Sequence, residues 1–71
     1  MELLINGQTR AFDALPPEPR VADLVVALGM QSDRVAIEQN GEIVPRTAWL
    51  EAPLKAGDKL EIVHFVGGGS R

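Results

Sequence analysis

Apolar positions along the chain follow two rhythms, and each change of rhythm is marked by a turn. Leu3-Leu4-Ile5 is a short apolar run that stops at Asn6-Gly7. Asn-Gly readily takes the two positive φ angles of a type I′ turn, whose twist suits the flanking strands. A hairpin is therefore expected, with its return strand over about Gln8 to Phe12. Leu15-Pro16-Pro17-Glu18-Pro19 lacks amide donors at its prolines and reads as a crossing loop. From Val21 to Leu28 the rhythm becomes helical. Val21, Leu24, Val25 and Leu28 recur at i, i+3, i+4 and i+7, and Gly29 stands where a C-cap belongs. A buried Val-rich strand is the alternative, but the spacing and the glycine stop favour the helix.

The strand rhythm then returns. Arg34 to Gln39 and Glu42 to Val44 flank a second Asn-Gly, at Asn40-Gly41. Pro45 ends that strand, and Arg46 to Leu50 is expected to form a short helical turn. Ala56-Gly57-Asp58 is a tight turn into a final strand, Lys59 to Val66. The order ββ-α-ββ-turn-β has a compact solution with the first and last strands parallel at the centre of a mixed sheet. The single helix then supplies the crossover that parallel pairing requires. The expected fold is α+β: a β-grasp (ubiquitin-like) domain over residues 1–66, with a five-stranded mixed sheet and one main helix on one face.

Alternation of side chains assigns the two faces of that sheet. Leu3, Ile5, Val35, Ile37, Leu60 and Ile62 are expected to meet Val21, Leu24, Val25, Leu28 and Leu54 in a core. Leu4, Val63 and Phe65 then fall on the opposite face, where polar residues would be usual. Three large apolar neighbours on an open face predict a partner-docking patch. A registry shifted by one residue, or a loop around Trp49 covering these residues, would remove the patch.

Composition narrows the chemistry. The 71 residues are 45% hydrophobic and 24% charged, which fits one small globular domain. With no cysteine and one histidine, thiolate metal sites, disulfides and cysteine nucleophiles are excluded. A net charge of -3 with scattered basic residues argues against nucleic acid and for docking on basic patches of larger proteins. No apolar run approaches the ~20 residues of a membrane span, so a cytoplasmic protein is expected. No Ser/His/Asp or paired-carboxylate constellation assembles. His64 reads as a partly exposed structural residue, Asp58 and Glu61 as turn and surface residues, and Trp49 as packing over the core edge.

The chain then ends on Gly67-Gly68-Gly69-Ser70-Arg71, directly after the last strand. Glycine contributes nothing to a core and loses the most freedom on ordering. Residues 67–71 are therefore expected to form a thin, flexible tail that can enter a channel too narrow for any Cβ. No helix start follows, so a phosphate-cradling loop is a poor match.

Over nearly its whole length the chain resembles the ThiS family, the sulfur carrier proteins of thiamine biosynthesis. The resemblance is carried by Asn40-Gly41-Glu42-Ile43-Val44-Pro45-Arg46-Thr47-Ala48-Trp49, by Ala56-Gly57-Asp58, and by Glu61-Ile62-Val63-His64-Phe65-Val66-Gly67-Gly68-Gly69. Ubiquitin and the molybdopterin synthase small subunit share the di-glycine ending, but the Val-Pro-Arg segment with its tryptophan points to the thiamine branch. The resemblance implies a carrier, not an enzyme. An E1-like enzyme, ThiF, would adenylate the Gly69 carboxylate with ATP, and a cysteine-derived sulfur donor would convert it to a thiocarboxylate for thiazole synthase, ThiG. It implies no bound cofactor, ATP being used by the activating partner. Gly67, Gly68 and Gly69 would thread the partners' active sites. Family members usually end on the glycine matching Gly69, whereas Ser70-Arg71 follow here. Either a processing protease trims Ser70-Arg71, or the dipeptide is an appended remnant, or the chain is not competent in the usual way. Sulfur donation to molybdopterin or tRNA thiolation, ubiquitin-like modification of lysines, and a plain interaction domain are the competing readings.

Overall fold

The computed structural model describes residues 1–65. Five strands and one helix are present among them: β1 (Glu2–Ile5), β2 (Gln8–Ala11), α1 (Val21–Leu28), β3 (Val35–Gln39), β4 (Glu42–Val44) and β5 (Lys59–His64). Short 3-10 turns, Ser32–Arg34 and Arg46–Ala48, precede β3 and follow β4. The sheet order is β2-β1-β5-β3-β4, with β1 and β5 parallel and the other neighbours antiparallel. This is the β-grasp arrangement.

Local chemistry explains where the elements stop. Both Asn-Gly pairs take the positive φ angles of a type I′ turn, 49° and 83° at Asn6-Gly7 and 53° and 88° at Asn40-Gly41. Asp23, in the first turn of α1, accepts a 2.7 Å hydrogen bond from the Arg20 backbone N–H. Gly29 closes the helix at φ 71°, its N–H donating to the Val26 carbonyl while Met30 N–H donates to that of Val25.

The core joins both layers. Leu3, Ile5, Val35, Ile37, Leu60 and Ile62 from the sheet pack with Val21, Leu24, Val25 and Leu54, as the alternation predicts. Leu28, placed in the core by its spacing, is only half-buried at its margin. Trp49 goes further in than its sequence context suggests. It is buried, and its indole N–H is satisfied by the Val44 carbonyl at 2.9 Å. Its own carbonyl accepts from Ala22 N–H, and Ala52 accepts from Val21 N–H, so residues 49–52 close over the start of α1. The loop around Trp49 therefore lies on the helix side of the sheet.

Two polar side chains fix the central strand. The Asn6 side chain pairs with the Ile62 peptide, accepting its N–H at 2.7 Å and donating to its carbonyl at 3.0 Å. Asn6 thus acts as one more rung of the β1–β5 pairing while also making the turn. Asp58 ties the turn before β5 to the β3–β4 hairpin. Its carboxylate accepts from Gln39 Nε2, Asn40 Nδ2 and Lys55 N–H, at 3.0, 3.1 and 2.9 Å.

Partial burial would raise the Asp58 pKa, but the hydrogen bonds from Asn40, Lys55 and Gln39, with the Lys55 charge, outweigh it and hold the carboxyl below its ordinary value of 3.8. A depressed folded pKa gives stability that is present above the unfolded value and lost as pH falls through the folded one. Asp58→Asn is therefore expected to destabilise the domain at neutral pH, with the deficit shrinking as pH is lowered through and below 3.8. Urea denaturation at neutral and acid pH measures this; a deficit independent of pH would contradict it.

Candidate functional site

The face of the sheet turned away from α1 is built by the outward positions of three adjacent strands. On β5, Leu60 and Ile62 point into the core, so Glu61 and Val63 point out, and Phe65 continues the alternation. On β3, Val35 and Ile37 point in and Ala36 and Glu38 out; on β4, Ile43 points out. The register sets Ala36 opposite Val63, and Glu38 between Glu61 and Ile43. Val63, Phe65 and Ile43 are 56%, 55% and 73% exposed, high values for large apolar side chains. Between Val63 and Ile43 lies a shallow apolar dent of about 110 Å³, lined by Ala36, Ile37, Glu38, Ile43, Glu61 and Val63.

Of the patch expected from sequence, the structure keeps Val63 and Phe65 together and separates Leu4. Leu4 is on the same face, but it is half-buried and stands opposite Thr9 on one side and Lys59 on the other. Val63 is four steps along β5 from Lys59, roughly 13 Å at the rise of a strand. Leu4 is therefore no neighbour of Val63, because the register of a parallel crossover is not set by any local turn. Ile43 takes its place. The signal for Ile43 was available, since a two-residue turn at Asn40-Gly41 forces Glu38 opposite Ile43.

Phe65 N–H donates to the Arg34 carbonyl at 2.7 Å, holding the chain against the sheet up to the last described residue. Gly67, Gly68, Gly69, Ser70 and Arg71 lie outside the described residues. The described chain ends at Phe65, just past the end of central strand β5 and on the exposed apolar face. His64 is exposed at the end of β5, in register with Val35. Among the described residues no group of three or more His, Asp or Glu could hold a metal ion, and no helix is long and apolar enough to cross a membrane.

Residues 3–69 match the model of the ThiS family. The chain belongs to the ThiS family. It is 47% identical over 70 residues to a thiazole synthase of Paramagnetospirillum magneticum, covering 99% of this chain and 21% of that protein. A thiazole synthase of Magnetococcus marinus is 32% identical over 69 residues, covering 97% of this chain and 20% of its own length. The chain thus spans about a fifth of these two relatives. The sulfur carrier protein ThiS of Bacillus subtilis is 39% identical over 49 residues, 69% of this chain and 74% of that one. The fold agrees with two solved structures of a thiamine biosynthesis protein (ThiS) from Geobacter metallireducens. The crystal structure gives a TM-score of 0.78 at 36% identity, covering 97% of this chain and 100% of the other. The solution structure gives 0.80 at 35%, covering 100% and 91%.

Proposed function

We propose that the chain is a sulfur carrier for thiazole formation in thiamine biosynthesis, with the Gly69 carboxylate as its reactive group. The observation that carries this reading is the family match, which extends through Gly67-Gly68-Gly69 and stops before Ser70. The names of the relatives favour the thiazole route over molybdopterin or tRNA thiolation, because the carrier-like segment recurs within proteins called thiazole synthase.

The chemistry follows from what a carboxylate lacks. Its carbonyl is a poor electrophile with no competent leaving group. An E1-like adenylating enzyme of the ThiF type supplies one: the Gly69 carboxylate attacks the α-phosphorus of ATP, expels pyrophosphate and becomes an acyl-adenylate. Hydrosulfide released from a cysteine-derived donor then attacks the carbonyl and expels AMP, leaving a thiocarboxylate. A persulfide donor would instead give an acyl disulfide, whose S–S bond a thiol must reduce to free the same thiocarboxylate. A ThiG-type thiazole synthase accepts that sulfur. The carrier contributes no catalytic side chain. It contributes a docking face and a side-chain-free thread, Gly67 and Gly68, that delivers Gly69 to two active sites in turn. Val63 and Phe65, joined by Ile43, are the proposed docking residues nearest the thread, and Leu4 marks the far end of the same face. ATP-dependent activation suits a cytoplasmic location.

In this reading the peptide bond between Gly69 and Ser70 blocks the carboxylate, so a processing protease that cleaves after Gly69 exposes the reactive group. ATP–pyrophosphate exchange tests this with a purified ThiF-type enzyme. Exchange is expected with the chain ending at Gly69 and not with the chain ending at Arg71. Adenylation of the intact 71-residue chain, its mass confirmed before and after, would contradict it.

A further inference from the structure

The register of β3 and β5 places two carboxylates where a lone domain gains nothing from them. Glu38 and Glu61 are directly opposed on the exposed face. Opposed residues of an antiparallel pair have Cβ atoms about 4.5–5.5 Å apart, and like charges there repel. The other neighbour of Glu38 across the sheet is Ile43, and the row beyond holds Ala36 and Val63. Lys59 stands one row earlier on the same face, in register with Leu4, and brings one positive charge against two negative ones. The apolar dent opens between these same residues, and Glu38 and Glu61 are among those that line it, beside Ile43 and Val63.

An apolar hollow with a doubly negative rim is complementary to one kind of side chain. Arginine has an apolar stem that packs against Ile43 and Val63 and a planar guanidinium that forks onto carboxylate oxygens. A single guanidinium has enough donors to bridge two carboxylates across neighbouring strands, which the point charge of lysine does less well. We propose that the Glu38–Glu61 pair and its dent are the seat for one arginine of the ATP-dependent activating enzyme. The seat rests on the carrier reading above and adds to it the chemistry of the partner's contact. Binding relieves the carboxylate repulsion, so the seat favours the complex over the free carrier. The net charge of -3 on the whole chain works in the same direction at longer range.

The test uses the chain ending at Gly69 and the purified ThiF-type enzyme. Glu38→Gln/Glu61→Gln is expected to weaken binding in calorimetry by roughly tenfold or more, most strongly at low salt. Its unfolding midpoint should equal or exceed that of the unchanged chain. Glu42→Gln, at the sheet edge and off this face, should bind within about twofold of the unchanged chain, as surface changes outside a contact do. One arginine of the enzyme should resist phenylglyoxal in the complex with the unchanged chain and react in the complex with the double variant at saturation. Equal binding by the double variant, an equal loss in Glu42→Gln, or no difference at any arginine would overturn the seat. If the unchanged chain supports pyrophosphate exchange while the double variant binds as tightly, the seat fails and the carrier reading stands. If the unchanged chain supports none, the carrier reading fails and takes the seat with it.

Discussion

Gly68→Val in the chain ending at Gly69 is expected to slow adenylation by roughly two orders of magnitude, the scale of loss that follows when a reacting group is displaced by an ångström. The reacting carboxylate is one residue further on and is itself unchanged. A branched side chain at Gly68 acts only on passage through the enzyme's channel and on the placement of the Gly69 carbonyl against the α-phosphorus. The midpoint of thermal unfolding should not move, because the core ends with Ile62 on β5. Pyrophosphate exchange and circular dichroism on the same preparation separate the two. Full exchange by Gly68→Val would show that the glycines are not a thread.

The second large effect falls on stability. Leu60 is 0% exposed and lies on β5, between Ile5 of β1 and Gln39 of β3 in the register. Leu60→Ala removes apolar volume where both central strands and α1 converge, and a close-packed interior collapses only partly around such a gap. The cost is expected at about 3 kcal/mol. A domain of this length has a total of only about 4–10 kcal/mol. The melting midpoint should therefore fall by about 10 °C or more. Ile43→Ala, at an exposed position, should cost under about 0.5 kcal/mol. Equal losses from the two variants would contradict the placement of the core.

What was legible in the chain was whatever short-range stereochemistry decides. Asn6-Gly7, Asn40-Gly41 and Gly29 each require positive φ, so they marked two turns and a helix end without reference to the rest of the molecule. Alternation then sorted Leu3, Ile5, Val35, Ile37, Leu60 and Ile62 to one side. Long-range registry was not legible. Leu4 and Val63 were correctly given the same face and wrongly made neighbours, because the β1–β5 offset depends on the whole crossover. The Asn6 side chain completing the Ile62 pairing is hidden for the same reason, since 56 residues separate the partners. Trp49 looked peripheral until the helix start supplied its surroundings. Glu61 read as an ordinary surface residue, and only its position opposite Glu38 gives it a role.

The central claim is that Gly69 is a sulfur-bearing terminus, and intact mass spectrometry tests it most directly. The chain ending at Gly69 is incubated with the ThiF-type enzyme, ATP and a cysteine-derived sulfur source, and the C-terminal peptide is then sequenced. The expected product has one oxygen replaced by one sulfur at the Gly69 carboxyl, formed only when ATP is present. An unchanged mass under conditions where an established carrier from the same family is converted would contradict the account.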